Sequence, residues 1–161
     1  MVVREQADPA AAHPGPESVT IPAAMVQAMI DHARAENPNE ACGVIIGDRS
    51  AADGGGALRW EPTGNKAASP FRYEIPPEDL LRLTIATDEA DQVFWAIVHS
   101  HTHTPARPSP TDLALAFYPD ALYILVSLSV DEADPTAGTP SVRAWRIVDG
   151  SIHEVELQVA A

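Results

Sequence analysis

Cysteine is almost absent from this chain: Cys42 is the single one among 161 residues. One cysteine cannot form a disulfide within the chain, so packing and hydrogen bonds must stabilise the fold. A structural zinc site closed by several thiolates is excluded for the same reason. No signal peptide is recognisable at the N-terminus, and together with the scarcity of cysteine this leads us to expect a reducing, cytoplasmic location.

Basic residues and long apolar runs are also scarce. The chain has 10 lysines and arginines against 23 aspartates and glutamates, which gives a formal net charge of −13. Because nucleic-acid binding needs a basic surface, we expect no nucleic-acid role. No apolar run approaches the roughly 20 residues of a membrane-spanning helix, so we expect no membrane insertion.

The most informative feature that is present is a histidine pair followed by a short polar motif. His-Ser-His at 99–101 follows the continuous apolar run 93–98, and Ser-Pro-Thr-Asp at 109–112 comes seven residues later. The apolar run predicts a strand buried on both faces. Histidines two residues apart on an extended segment point to the same side and can reach one metal ion, to which Asp112 can add an oxygen. Two imidazoles and one carboxylate leave the fourth position of tetrahedral zinc open, which is typical of a catalytic site.

Each part of this pattern also has a purely structural interpretation. A single His-x-His is usually incidental. Ser109 with Asp112 three residues later also predicts the capping box of a helix, with Pro110 in its first turn. The two interpretations are compatible, because a helix start is a rigid place to mount a ligand.

The joint spacing resembles the signature of the JAMM (MPN-plus) zinc metallopeptidases: His-x-His, seven residues, a serine, two residues and an aspartate. That family also has a glutamate upstream at the start of a strand. Glu40 fits this position, since Asn39–Gly43 leads into the apolar run 44–47. Residues 65–73 resemble an Asn and Ser-Pro segment of the prokaryotic members, and the likeness extends from about residue 20 to about residue 130. Thr102 departs from the pattern, because many members have proline there, but the departure removes no ligand.

The resemblance implies a mechanism and a partner. It assigns Zn²⁺ to His99, His101 and Asp112, a proton-transfer role beside the metal to Glu40, and stabilisation of the oxyanion to Ser109. The compact core between Glu40 and Asp112 resembles the bacterial peptidases that release L-cysteine from a ubiquitin-like sulfur-carrier protein with a Gly-Gly C-terminus. An N-terminal arm, predicted at residues 1–18, and edge strands, predicted at 142–148 and 152–159, leave room for a homodimer.

Three other functions remain open at this point. A general isopeptidase or processing protease for ubiquitin-like modifiers would share every catalytic residue. The fold also occurs in a bacterial protein associated with DNA repair, which the acidic charge disfavours here. A non-catalytic MPN scaffold would have lost ligands, whereas this chain keeps them all.

The remaining cysteine and histidines have simpler interpretations. Cys42 begins an apolar strand, where a free cysteine is usually a small buried hydrophobe rather than a nucleophile. His103 is interpreted as a solvated loop residue, with a substrate contact or an alternative ligand left open. The other three are interpreted as residues of the tail, a helix surface and a strand surface: His13, His32 and His153.

The apolar periodicity predicts an α/β fold in which helices sandwich a mixed, curved β-sheet. The resemblance implies the JAMM/MPN (cytidine-deaminase-like) architecture. Residues 1–18 are interpreted as a flexible arm and residues 19–161 as one metallopeptidase domain. Helices are predicted at 22–37, 77–91 and 110–117, and the second is expected to bury Leu80, Leu81, Leu83 and Ile85. Strands are predicted at 44–47, 93–98, 121–128, 142–148 and 152–159. The last two are interpreted as edge strands joined by a hairpin turn at Asp149-Gly150, and residues 48–56 as a turn between two strands.

Overall fold

The computed structural model describes residues 15–130 and 138–161. Most of the predicted arm, including His13, lies outside these residues. The described chain forms three helices and seven strands, and none of these helices is both long and apolar enough to cross a membrane. In chain order the elements are β1 (Ser18–Pro22), α1 (Ala23–Glu36), β2 (Cys42–Gly47), β3 (Ala57–Thr63), α2 (Pro77–Glu89), β4 (Val93–His101), α3 (Pro110–Ala114), β5 (Leu122–Ser127), β6 (Ser141–Val148) and β7 (Ser151–Ala160).

The strands form one mixed sheet in the order β1-β7-β6-β5-β4-β2-β3. Two neighbouring pairs are parallel, β1 with β7 and β4 with β5, and the other four are antiparallel. Strand β4 therefore lies inside the sheet, between β2 and β5. The end of β4, which carries the histidine pair, therefore lies two strands in from the β3 edge of the sheet.

Alternation along the central strands divides the core into two clusters, one on each face of the sheet. In β2, Ile45 packs on one face, and its neighbours Val44 and Ile46 pack on the other. Helix α1 covers the first face with Met25, Met29 and Ala33, while Leu83 of α2 belongs to the second cluster. The sheet is thus sandwiched between helices, and the predicted α/β fold class is confirmed.

The sequence predicted no strand near the N-terminus, and the edge-strand prediction was wrong. Residues 18–22 form a strand, in which Val19 and Ile21 are buried and the alternate residues are exposed, so the helix begins at Ala23 rather than Pro22. This strand pairs in parallel with β7. Strands β6 and β7 are therefore internal, although their connection at Asp149-Gly150 has the positive φ angles of 50° and 77° expected of the predicted hairpin turn.

Two helix predictions also need correction. In α2 the buried residues are Leu83 and Thr87, one turn apart, whereas Leu81 is 62% and Ile85 48% exposed. The predicted apolar stripe was too wide because adjacent leucines cannot all face the sheet. Helix α3 ends at Ala114 rather than at residue 117.

Candidate active site

The two histidines end strand β4 with both rings buried. His99 is 1% exposed and His101 is 3% exposed. Ser100 between them joins the neighbouring segment: its backbone N–H donates to the Ala41 carbonyl at 2.9 Å, and its Oγ accepts from the Ala41 N–H at 2.7 Å. The middle residue of the His-Ser-His motif therefore holds the backbone next to Glu40 against the histidines.

Asp112 brings the polar motif to the same point. Ser109 caps α3: its Oγ accepts from the Asp112 N–H at 3.1 Å, while Asp112 Oδ2 accepts from the Ser109 N–H at 2.8 Å. The same carboxylate lies against both imidazoles, with Oδ2 3.0 Å from His101 Nε2 and Oδ1 3.1 Å from His99 Nε2. The same Asp112 carboxylate therefore completes the capping box and contacts both imidazoles.

Glu40 approaches from the segment just before β2, and its side chain is buried. Its backbone N–H donates to the Ser69 carbonyl at 2.8 Å, and its carbonyl accepts from Asn65 Nδ2 at 3.0 Å. One ligand atom each from Glu40, His99 and His101 lie within 4.8 Å of one another. The structure therefore brings all five sequence-predicted site residues together, with Ser109 joined to the cluster through Asp112.

Burial and mutual contacts shift the protonation of the cluster. Burial raises the pKa of Glu40 to about 7, with His101 lowering it and Asp112 raising it by smaller amounts. Burial alone would also raise the pKa of Asp112, but its contacts with His101 and His99 hold it well below its usual value. Burial lowers the pKa of His99, whereas in His101 the contacts with Asp112 and the Pro105 carbonyl outweigh burial and raise it. A metal that bound here would displace the proton of His101, since metal ligands are deprotonated.

The residues of the cluster fit a divalent metal ion, because several of their buried donor atoms are left without a hydrogen-bond partner in the described part of the chain. Glu40 Oε1 and both ring nitrogens of His99 are buried and have no hydrogen-bond partner among the described residues. His99 Nε2 lies 3.1 Å from Asp112, but that contact lacks hydrogen-bond alignment. The Nδ1 of His101 is 2.7 Å from the Pro105 carbonyl, to which it must donate. This fixes the tautomer and directs Nε2 into the cluster. Imidazole nitrogens and carboxylate oxygens are donors that zinc accepts.

Sequence reasoning assigned no role to Tyr73, which lies against the cluster. Its ring is stacked on His99 with centroids 4.2 Å apart and planes 18° apart. The loop that carries Tyr73 is tied to Glu40 through Asn65. Residues 65–73 were noted for their resemblance alone, and no local pattern could place one aromatic residue of that loop on a histidine 26 positions later.

An apolar groove of about 230 Å³ adjoins the cluster and shares Tyr73 with it. Leu80 of α2 and the exposed side chains of Leu115 and Phe117 also line this groove. A larger cavity of about 400 Å³ lies by Val93 at the opposite end of β4. Of these two, the larger cavity is far from the histidines and the smaller groove lies nearer to the site.

Cys42 is part of the packing rather than a nucleophile. Its Sγ lies 3.1 Å from the Gly64 carbonyl, to which it donates, and 3.4 Å from Thr63 Oγ1. Burial raises the pKa of the thiol to about 11, so the reactive thiolate is scarce at neutral pH.

Replacing Cys42 with serine is expected to leave any catalytic activity of this site within about threefold of that of the unsubstituted protein. A serine hydroxyl can keep the hydrogen bond to Gly64, and no proton transfer in the site needs a thiol. Steady-state kinetics together with a thermal unfolding curve checks this. A loss of more than about a hundredfold in a folded variant would restore the thiol as a participant.

The other histidines lie outside the cluster. His103 is exposed, with its Nδ1 2.7 Å from Thr102 Oγ1, and that hydroxyl is placed to donate to the Pro70 carbonyl at 3.2 Å. His153 is exposed on β7, as predicted. The interpretation of His32 as a surface residue was wrong: it is half-buried, with Nε2 3.1 Å and 3.0 Å from two backbone carbonyls, those of Cys42 and Thr63.

Comparisons with known proteins show the family to which this chain is related. The chain matches the Prok-JAB family, prokaryotic homologs of the JAB domain, over residues 22–148. It is 40% identical to the CysO-cysteine peptidase of Mycobacterium tuberculosis over 141 residues, which cover 88% of this chain and 90% of that protein. It is 33% identical to the desampylase of Haloferax volcanii over 104 residues, covering 62% of this chain and 73% of that protein.

Two solved structures share the fold. Protein DSY2949 from Desulfitobacterium hafniense superposes with a TM-score of 0.71 at 30% identity, covering 88% of this chain and 92% of that one. AF2198, a JAB1/MPN domain protein from Archaeoglobus fulgidus, has a TM-score of 0.53 at 18% identity, covering 89% of this chain and 99% of that one. The predicted architecture is therefore confirmed.

Proposed function

This chain belongs to the family of prokaryotic homologs of the JAB domain, and we propose that it is a zinc peptidase that releases L-cysteine from a ubiquitin-like sulfur-carrier protein. The bond cleaved is the amide that joins the carrier's C-terminal glycine to the cysteine. The observation that supports this proposal most strongly is that His99, His101 and Asp112 meet beside the buried carboxyl of Glu40. The 40% identity to a CysO-cysteine peptidase supports the choice of substrate.

His99, His101 and Asp112 would hold the zinc ion in this proposal. When bound, zinc acts as a Lewis acid that polarises a carbonyl and lowers the pKa of water. Glu40 takes a proton from the attacking water and later delivers it to the leaving amine. In the metal-free protein, burial raises the pKa of Glu40 to about 7, and this resistance to ionisation makes the carboxyl a better proton acceptor and donor near neutral pH than an exposed glutamate. Hydrogen bonds that join the Glu40 backbone to Ser69 and Asn65 hold this residue beside the cluster.

The sheet offers a route for the carrier's C-terminal tail. Strand β3 is the edge strand on the side of the site, and its last residue, Thr63, pairs with Cys42, which in turn pairs with His99. An extended tail can add to such an edge through backbone hydrogen bonds. Two glycines at the end of the tail allow its backbone to approach the metal closely, since they carry no side chain.

Replacing Ser109 with alanine is expected to lower kcat by about a hundredfold to a thousandfold, the usual effect of losing one oxyanion donor. The variant also loses the helix cap, which typically costs about 1 kcal/mol of stability. The matched control is Ser109→Thr, which keeps both the hydroxyl and the cap. Kinetics measured beside thermal unfolding separates the two effects, and an alanine variant that lost only stability would remove Ser109 from catalysis.

An intact-mass assay tests the proposed function. The substrate is a bacterial ubiquitin-like carrier that ends in Gly-Gly-Cys, incubated with the zinc-loaded protein or with its Glu40→Gln variant. We expect the carrier to lose the mass of one cysteine residue with the unsubstituted protein only. An unchanged carrier, with zinc bound and the protein folded, would exclude the cysteine-releasing function.

The relationship to a desampylase favours one alternative, an isopeptidase for ubiquitin-like modifiers. Its substrate would be the same kind of Gly-Gly tail joined to a lysine side chain instead of to free cysteine. The mass assay distinguishes the two when both substrates are offered together. Faster cleavage of the isopeptide-linked carrier would favour the isopeptidase function over cysteine release.

A further inference from the structure

We infer that Tyr73 is a positioning residue whose ring, stacked on the imidazole of His99, sets the orientation in which His99 meets a metal ion. The inference rests on the zinc site proposed above. It concerns His99, whose Nδ1 has no hydrogen-bond partner in the part of the chain that the structure describes.

The two histidines are held in different ways. A metal-ligating imidazole usually donates its other N–H to a carbonyl or carboxylate, which fixes both the tautomer and the ring plane. His101 follows this rule, since its Nδ1 lies 2.7 Å from the Pro105 carbonyl. In His99, Nδ1 is buried and has no hydrogen-bond partner among residues 15–130 and 138–161. Another contact must therefore set the plane of the His99 ring.

Tyr73 supplies that contact. The planes of the two rings are 18° apart and their centroids are 4.2 Å apart, an almost parallel stack. Rotation that tilts the imidazole out of its plane would break this stack, so the stack sets the plane of the ring, in which Nε2 lies 3.1 Å from Asp112 Oδ1. The edge-on contact of His99 with His101, at 5.1 Å between centroids, limits the same rotation from another side.

The loop that carries Tyr73 is itself held firmly by Asn65. The Nδ2 of Asn65 donates to the carbonyls of Glu40 and Arg72, both at 3.0 Å. Its Oδ1 accepts from the N–H groups of Ala67, at 3.0 Å, and of Glu74, at 2.9 Å. These four bonds use the full capacity of one amide side chain. Two of them hold the residues on either side of Tyr73, so the tyrosine has little freedom to leave His99.

The test measures zinc affinity rather than turnover. Dissociation constants are determined by competition with a chromophoric chelator for the unsubstituted protein and three variants: Tyr73→Leu, Tyr73→Phe and Phe71→Leu. Each variant is first shown to be folded without zinc by circular dichroism. Phe71 is the matched control, because it lies on the same loop but is exposed and faces His103 instead of a ligand.

We expect Tyr73→Leu to weaken zinc binding by about tenfold to a hundredfold, the range typical of removing a group that orients a ligand. Tyr73→Phe keeps the ring and is expected to bind within about twofold of the unsubstituted protein. The control Phe71→Leu is also expected to bind zinc within about twofold of the unsubstituted protein. Unchanged affinity in the leucine variant, or an equal loss in the control or the phenylalanine variant, would overturn the inference.

A second measurement applies even if the leucine variant does not fold. In the zinc-loaded unsubstituted protein, the ring current of Tyr73 is expected to shift the His99 ring protons upfield of those of His101 in NMR spectra. Absence of that shift would also overturn the inference. Tight zinc binding without hydrolysis of the carrier counts against the proposed function alone, whereas a protein that bound no zinc would contradict both.

Discussion

Replacement of Glu40 by glutamine is expected to lower kcat by about a hundredfold to ten-thousandfold while zinc binding stays unchanged. Glutamine matches the size of glutamate but cannot take a proton from water, and general-base catalysis typically contributes a factor of this size. Zinc content after dialysis and kcat toward the Gly-Gly-Cys carrier are the two quantities to measure. The side chain is buried at 4% exposure, so bulk water offers no substitute base at the same position.

The matched control for this variant is Glu74→Gln. Glu74 belongs to the loop beside the site but its side chain is exposed, so its substitution is expected to leave kcat unchanged. Activity of the Glu40 variant near that of the unsubstituted protein would remove Glu40 from the base role. Loss of zinc together with activity would instead make Glu40 a ligand, an outcome that its distance to both histidines allows.

The Glu40 substitution also has an expected effect on stability. The folded pKa of about 7 lies above the ordinary value of 4.5, so the folded protein binds a proton more tightly than the unfolded chain does. The contribution of Glu40 to stability is therefore largest below pH 4.5 and is lost as the pH rises to 7. In protein prepared without metal, the Glu40→Gln variant should not show this decrease in stability between pH 4.5 and 7. Thermal unfolding of both proteins across that pH range measures the difference.

Replacement of His101 by alanine is expected to remove zinc and activity together. The substitution deletes one of the three proposed ligands and also leaves the buried Asp112 carboxylate without its 3.0 Å partner. We expect zinc content to fall from about one per chain to near zero after dialysis, and hydrolysis to fall to background. Atomic absorption and the intact-mass assay measure the two quantities on the same preparation.

His103→Ala is the control for this second prediction. It removes an imidazole only two residues away, but one that is exposed and lies outside the cluster. This variant should keep its zinc, so the pair separates loss of a ligand from disturbance of the loop. Stoichiometric zinc in a folded His101→Ala protein would mean that the ligand assignment is wrong.

Much of the site could be predicted from the sequence because its parts are local. The alternation of an extended strand places His99 and His101 on one side, and both rings do point at one carboxylate. The spacing of Ser109 and Asp112 predicts a capping box, which is present at the start of α3. Contacts over two or three residues depend only on the local backbone geometry, which the pattern of residue types indicates directly.

Other predictions failed where the answer depended on distant strands. The residues of β7 alternate like those of an edge strand, but β1 pairs with it from the far end of the chain. In α2, adjacent leucines compete for one face, and only the position of the sheet decides that Leu83 is buried and Leu81 exposed. Such choices follow from how the elements pack against each other. The hydrophobic period of a single segment carries no information about that packing.

By itself, the sequence determined which residue types form the candidate site, their spacing along β4 and α3, and the resemblance that led to the family. The tertiary structure decided the rest: the approach of Glu40 to residues about 60 positions later, the stacking of Tyr73 on His99, and the four hydrogen bonds by which Asn65 holds both. The physical reason is the range of the contacts. A strand or a helix cap orders residues that are neighbours in the chain, whereas Glu40 and Tyr73 come from segments whose meeting with the histidines depends on the path of the loops between them.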